Sequence, residues 1–143
     1  MKGPMRKGPV IIDTGPLVAL LNRRERHHAW AREQFALVEP PAITCEAVIT
    51  ETCFLVRDID EGIDSLMQLL QRGVVKVSFN LTNELPTISR LLKRYASVPM
   101  SLADACLVRM AELYTASTVL TLNSDFRVYR KSGRTVIPTR IPG

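Results

Sequence analysis

Three apolar residues, a carboxylate and a turn form the first recognisable unit of the chain, Val10-Ile11-Ile12-Asp13-Thr14-Gly15-Pro16. The short apolar run predicts a buried strand, and Pro16 suits the first position of a helix. Further along the chain, short apolar runs continue to alternate with stretches of helical periodicity. This alternation predicts an α/β fold in which helices cover both faces of a parallel sheet.

A single domain is expected from the length of the chain. It has 143 residues, and a domain of that size buries roughly 70% of its unfolded surface. We assign residues 1–9 to a flexible N-terminal segment and residues 10–143 to one domain. Short strands are predicted at 10–13, 42–44, 74–79, 118–122 and 135–137, and helices at 25–38, 45–57, 60–72, 82–95 and 101–114.

The charge of the chain favours a polyanionic partner. Its formal net charge is +5 and its pI is near 9.4, a balance that suits nucleic-acid binding. Acidic residues stop at Asp125, and the cations after it are Arg127, Arg130, Lys131, Arg134 and Arg140. A solvated basic tail is the alternative interpretation of that segment.

The sequence also predicts a cytoplasmic protein. Its apolar runs fall well short of the roughly 20 residues that span a bilayer. The run that begins at Val10 is interrupted by Asp13, so it makes a poor signal peptide. The three cysteines form no C-x-x-C pair, which favours free thiols in a reducing compartment.

Four carboxylates stand at strand–helix junctions or beside apolar runs: Asp13, Glu51, Asp104 and Asp125. In such surroundings a carboxylate is costly unless something cationic neutralises it. Asp13 and the turn after residue 122 fall at the carboxyl ends of predicted parallel strands, which is the edge where ligands bind in such sheets. We therefore predict that these acids share a divalent metal.

Each of these residues also has a local explanation. Asp13 is placed to cap the N-terminus of the following helix. Ser101 and Asp104 have the spacing of a capping box. Glu51 would be unremarkable on an exposed helix face, and Asn123 and Asp125 suit a turn.

A metal-dependent phosphodiesterase is the chemistry that these residues favour. Mg²⁺ and Mn²⁺ prefer hard oxygen ligands, and the bound ion turns water into a nucleophile and stabilises charge on the phosphate. Thr121 and Ser124 are placed to position such waters through hydrogen bonds.

The chain resembles the PIN-domain family, in particular the VapC-type toxins of toxin–antitoxin pairs. The resemblance covers almost the whole chain, from Val10 to about Pro138. Four short motifs carry it in order: Ile11-Ile12-Asp13-Thr14-Gly15-Pro16-Leu17-Val18-Ala19-Leu20-Leu21, Ile49-Thr50-Glu51, Ser101-Leu102-Ala103-Asp104-Ala105-Cys106-Leu107 and Leu120-Thr121-Leu122-Asn123-Ser124-Asp125-Phe126.

This resemblance implies a three-layer α/β/α fold around a central, mostly parallel sheet of about five short strands. It implies a Mg²⁺- or Mn²⁺-dependent endoribonuclease that often acts on structured RNA such as tRNA, is neutralised by a cognate antitoxin and frequently forms homodimers. Asp13, Glu51 and Asp104 match the first three acidic positions of the family. The fourth, often Asp, is Asn123 here, and Asp125 supplies the nearby carboxylate.

The resemblance leads to a specific hypothesis for the site. Asp13 and Asp104 ligate the metal directly, and Glu51 and Asp125 bind through water or a second ion. Flanking phosphates are assigned to Arg127, Arg130 and Lys131. Because Asn123 stands where the family often has Asp, the alternative to a nuclease is a catalytically weak or inactive scaffold that binds RNA or a protein. A phospho-acceptor receiver is disfavoured, because only one acidic residue follows the first strand.

Overall fold

A five-stranded, entirely parallel sheet forms the centre of the molecule in a computed structural model that describes residues 8–143. Within that range the spatial order of its strands is β3-β2-β1-β4-β7, and β5 and β6 form a separate antiparallel hairpin. The strands are β1 (Val10–Ile12), β2 (Ala42–Thr44), β3 (Val75–Val77), β4 (Thr118–Leu120), β5 (Arg130–Lys131), β6 (Thr135–Val136) and β7 (Thr139–Arg140).

Six α-helices in the described range flank the sheet and confirm the predicted three-layer α/β/α fold. The first, α1, packs against α2, α3 and α4, while α5 packs against α6. A 3-10 helix, Ser124–Arg127, follows β4. The α-helices are α1 (Thr14–Leu21), α2 (His28–Leu37), α3 (Glu46–Leu55), α4 (Gly62–Gln71), α5 (Leu81–Arg94) and α6 (Leu102–Leu113).

The core lies on both sides of β1, the middle strand. Ile11 and Ile12 are both fully buried, and because successive strand residues point to opposite faces, both faces of the sheet are covered. Ile11 stands in register with Ile43 of β2 and Val119 of β4. The parallel arrangement brings the carboxyl ends of these three strands to one edge of the sheet.

The fifth strand of the sheet differs from the one predicted. We expected 135–137 to complete the sheet, but Thr135 and Val136 pair with β5 in the hairpin. The fifth strand is instead β7, at one edge of the sheet, which pairs with β4 through its backbone and carries no apolar run. Such a strand is stabilised by main-chain hydrogen bonds, including Thr121 N–H to the Arg140 carbonyl at 3.1 Å, so hydrophobic periodicity does not reveal it.

One boundary prediction concerns the N-terminal end of the described residues. Residues 1–7 of the segment expected to be flexible lie outside the described residues. At residue 9 the main chain already takes part in the fold, because the Pro9 carbonyl accepts a hydrogen bond from Thr118 N–H at 3.1 Å.

Among residues 8–143 the structure contains no helix with the length and apolar character that crossing a membrane would require.

Candidate active site

Asp13 is the buried centre of the site. It follows β1 directly and is only 6% exposed. One carboxylate oxygen, Oδ1, accepts a hydrogen bond from Thr14 N–H at 2.7 Å and so caps α1. The other, Oδ2, accepts one from the Thr121 hydroxyl at 2.6 Å. The capping role anticipated for Asp13 is therefore real, but it uses only one of its two oxygens.

A close approach of two chain segments makes the Asp13–Thr121 contact possible. A Cβ on Gly15 would lie 2.9 Å from Cγ of Leu122, which is closer than side chains tolerate. Glycine at position 15 therefore allows the first turn of α1 to lie against the chain that leaves β4. Asp13 N–H also donates to the Leu120 carbonyl at 3.0 Å.

The pKa of Asp13 is raised from 3.8 to about 6, mainly because burial penalises its charged form. The hydrogen bonds from Thr121 and Thr14 oppose this shift, whereas the negative charges of Asp104 and Glu51 add to it. The three carboxylates therefore lie close enough to repel one another. A divalent cation would relieve that repulsion, because the groups that hydrogen-bond to Asp13 are neutral donors.

Asp104 occupies the first turn of α6 and has two roles. It completes a capping box with Ser101, as the spacing predicted: Asp104 N–H donates to Ser101 Oγ at 3.0 Å, and Ser101 N–H donates to Asp104 Oδ2 at 3.4 Å. The same Oδ2 accepts a hydrogen bond from the Tyr129 hydroxyl at 2.9 Å. Burial raises the pKa of Asp104, and the bond from Tyr129 partly offsets that effect.

Glu51 lies on the exposed side of α3 yet reaches toward the buried pair. Its Oε1 accepts a hydrogen bond from the Thr14 hydroxyl at 2.7 Å. Thr14 therefore contacts two carboxylates, Asp13 through its N–H and Glu51 through its hydroxyl. This arrangement holds the exposed glutamate beside the buried aspartate.

The segment after β4 orients the site rather than simply closing a turn. The Thr121 hydroxyl donates to Asp13 and accepts from Asn123 N–H at 2.9 Å. Asn123 Oδ1 accepts from Asp125 N–H at 2.9 Å and caps the 3-10 helix. Thr121 thus positions a carboxylate, where we had expected it to position water, while Ser124 is exposed.

Asp125 and the basic residues after it differ in how far their side chains are already engaged. The charge of Asp125 contributes to raising the pKa of Tyr129, so it lies near the Asp104–Tyr129 pair. Arg127 is exposed and Lys131 is half-buried in β5. Arg130 is already engaged, since its Nη1 donates to the carbonyls of Arg127, Val128 and Tyr129 at 2.7, 3.1 and 3.0 Å.

Two hydrogen-bonding residues of the site were missed from the sequence. Tyr129 is fully buried and holds Asp104, and its ring packs edge-on against Phe126 and Tyr95 at 5.1 Å between centroids. Thr14 holds Glu51. Thr14 lies within the first motif. Tyr129 lies in a basic segment, and no motif or spacing in the sequence marked it as a residue of the site.

The donor set suits a hard divalent cation, because it consists of carboxylates that repel each other at a sheet edge. As the side chains of residues 8–143 stand, however, no three His, Cys, Asp or Glu groups are arranged to ligate one ion together. Direct ligation by several of these acids would therefore require their side chains to shift.

Comparison with known proteins agrees with the fold and the motif order. The family model for the PIN domain matches residues 10–132. Ribonuclease VapC26 of Mycobacterium tuberculosis is 29% identical over 137 residues, which cover 90% of this chain and 100% of that protein. The crystal structure of Mycobacterium tuberculosis VapC20, a sarcin–ricin loop cleaving toxin, superposes with a TM-score of 0.70 at 20% identity, covering 83% of this chain and 93% of that one.

Proposed function

Because this chain belongs to the PIN-domain family, as its four motifs indicated, we propose that it is a Mg²⁺- or Mn²⁺-dependent endoribonuclease of the VapC toxin type. The observation that carries the proposal is the buried carboxylate of Asp13, whose hydrogen-bond donors, Thr14 N–H and the Thr121 hydroxyl, are neutral and which the charges of Asp104 and Glu51 repel. The relative named Ribonuclease VapC26 supports ribonuclease activity.

The protein's own side chains have defined roles in this proposal. Asp13 and Asp104 would hold the ion, and Glu51 and Asp125 would bind through water or a second ion. The bound ion would supply Lewis-acid stabilisation of phosphate charge and lower the pKa of water. Thr121 and Tyr129 keep the two buried carboxylates oriented through hydrogen bonds, as outer-shell partners do in metal sites.

The reaction is hydrolysis of an RNA phosphodiester bond. Water adds to the scissile phosphorus, and the ribose 3′-oxygen leaves, so the product carries a 5′-phosphate. Arg127 and Lys131 remain proposed contacts to flanking phosphates. Arg130 is a weaker choice, because one of its guanidinium nitrogens already serves three carbonyls.

The biological setting is proposed from the same family membership. We propose a small cognate antitoxin as the inhibitor, a homodimer as the assembly, the cytoplasm as the compartment and structured RNA, such as tRNA, as the substrate. The net charge of +5 is consistent with an RNA partner.

Replacement of Asp13 or Asp104 by Asn tests the proposal. Each variant should lose more than about 100-fold of the metal-dependent cleavage of a tRNA transcript, since even outer-shell partners contribute 10- to 100-fold. Asp60 is exposed on the loop before α4, and D60N is the matched control. Cleavage by D13N at the wild-type rate would refute the assignment.

A scaffold without catalysis is the second possibility, and Asn123 is the observation behind it. Its side-chain oxygen accepts a hydrogen bond from Asp125 N–H, and it brings no charge to the site. Calorimetric titration with Mn²⁺ separates the two functions. Absence of binding at millimolar metal, together with absence of cleavage, would favour the scaffold.

A further inference from the structure

A cavity of about 680 Å³ lies between α5, α6 and the tip of the β5–β6 hairpin. It contains none of the four proposed catalytic acids. Helix α5 supplies five of its lining residues, α6 supplies two and the hairpin loop supplies two. Its lining residues are Thr87, Arg90, Leu91, Lys93, Arg94, Arg109, Glu112, Ser132 and Gly133.

Unpaired positive charge distinguishes this cavity. Arg90, Lys93 and Arg94 are exposed, and among residues 8–143 none of the three has a carboxylate within ion-pair distance. Arg109 is different, because it is bonded to Glu84 at 2.6 Å and to Glu112 at 2.9 Å. Arg90 Nη2 donates a hydrogen bond to the neutral Thr87 hydroxyl at 3.2 Å, which leaves its charge unbalanced. The α5 wall therefore presents three cations without a paired carboxylate, which attract an anion.

The walls of the cavity are held in place by hydrogen bonds from the hairpin. Ser132 N–H donates to Glu112 Oε2 at 2.6 Å, and Arg130 N–H donates to the Tyr95 hydroxyl at 3.0 Å. At the tip, Gly133 has a φ of +81°, and a Cβ there would lie 3.3 Å from Nη1 of Arg94. The absence of a side chain at 133 leaves room for the guanidinium group.

Helix α6 connects this cavity to the carboxylates. Asp104 lies in its first turn and Glu112 in its last, about 12 Å further along the axis at about 1.5 Å per residue. The Tyr95 ring, which contacts the hairpin, packs on Tyr129, whose hydroxyl holds Asp104. The basic cleft and the acidic site therefore stand a short and fixed distance apart.

We infer that the cleft lined by Arg90, Lys93 and Arg94 binds backbone phosphates of the RNA strand that continues beyond the cleaved bond. This inference rests on the proposed function. A polymer cut at the carboxylates must run on past them, and guanidinium groups bind phosphate in a bidentate manner without reading base sequence. An acidic polypeptide would be attracted by the same charges, but it is not cleaved at the carboxylates and so has no reason to extend from them into the cleft.

The test compares two variants that lose the same charge. R90Q/R94Q removes two cations from one face of α5, and R72Q/K76Q removes two exposed cations outside the cleft. Circular dichroism first establishes that both variants are folded. Binding of a short fluorescein-labelled oligoribonucleotide is then followed by anisotropy in EDTA across a series of KCl concentrations.

Loss of two phosphate contacts should lower the slope of log K against log[KCl] by about 1.4, at about 0.7 per contact for a single strand. The R72Q/K76Q control should keep the wild-type slope. With Mg²⁺ present, kcat/KM of R90Q/R94Q should fall further for a long oligoribonucleotide than for a dinucleotide. A slope for R90Q/R94Q equal to that of the control would overturn the inference.

The outcomes separate the cleft from the proposed activity. Wild-type protein that binds RNA through the cleft but cleaves none would refute the endoribonuclease and leave the cleft standing. Wild-type protein that cleaves RNA, with R90Q/R94Q indistinguishable from the control, would refute the cleft alone. Tighter binding of polyglutamate than of the oligoribonucleotide would overturn the assignment to RNA in favour of an acidic polypeptide.

Discussion

Replacing Asp13 by Asn should stabilise the metal-free protein near neutral pH. Burial raises the pKa of Asp13 from 3.8 to about 6, so above pH 6 the folded protein holds a carboxylate whose charge is penalised. At about 1.4 kcal/mol for each tenfold change in proton affinity, this penalty reaches up to about 3 kcal/mol of unfolding free energy. An amide keeps the bond from Thr14 N–H, but the Thr121 hydroxyl must turn to accept, so a net gain of about 1–3 kcal/mol is expected.

The sign of the effect follows from the direction of the pKa shift. The folded value lies above the unfolded value of 3.8, so the folded protein holds the proton more tightly. The stability contributed by Asp13 is therefore fully present below pH 3.8 and is lost as the pH rises through about 6. The advantage of D13N should be largest above that range and shrink below it.

Urea denaturation in EDTA, near neutral pH and again below about pH 4, measures the difference. The exposed Asp60 provides a control, because D60N should stay within about 0.5 kcal/mol of wild type. Added Mg²⁺ should stabilise wild type and not D13N, since only the protein that binds the ion gains from it. A D13N protein no more stable than wild type near neutral pH in EDTA would refute the reasoning.

Further predictions concern pH and the two hydroxyl donors. The affinity for Mn²⁺ should rise with pH through about 6 as metal-free Asp13 loses its proton, which calorimetric titration with Mn²⁺ at several pH values will show. Y129F removes the donor to Asp104. It should lower the unfolding free energy by about 1–3 kcal/mol and lower activity about 10- to 100-fold. Unchanged Mn²⁺ affinity and activity would contradict this prediction. T121V removes the bonds to Asp13 and Asn123 N–H. It should move the midpoint of the pH dependence of Mn²⁺ affinity upward, because the bond from Thr121 lowers the pKa of Asp13; an unmoved midpoint would show that Thr121 does not orient Asp13.

Most of the architecture was predictable because it depends on local pattern. Apolar runs that end on polar residues located β1, β2 and β4, and helical periodicity located α3 to α6 within a few residues. The capping box of Ser101 and Asp104 was likewise predicted from spacing alone. The edge strand β7 was missed, since backbone pairing at a sheet edge leaves no apolar pattern to detect.

The sequence by itself determined that Asp13 and the turn with Asn123 and Asp125 stand at the sheet edge, because each directly follows a predicted parallel strand. Only the tertiary structure decided which side chains hydrogen-bond to the site carboxylates and how much free energy the burial of their charge costs. Thr121 lies 108 residues from Asp13 along the chain yet donates to it at 2.6 Å, and Tyr129 reaches Asp104 across 25 residues. Hydrogen bonding and desolvation depend on distance in space, and periodicity along the chain does not encode the contacts that bring such residues together.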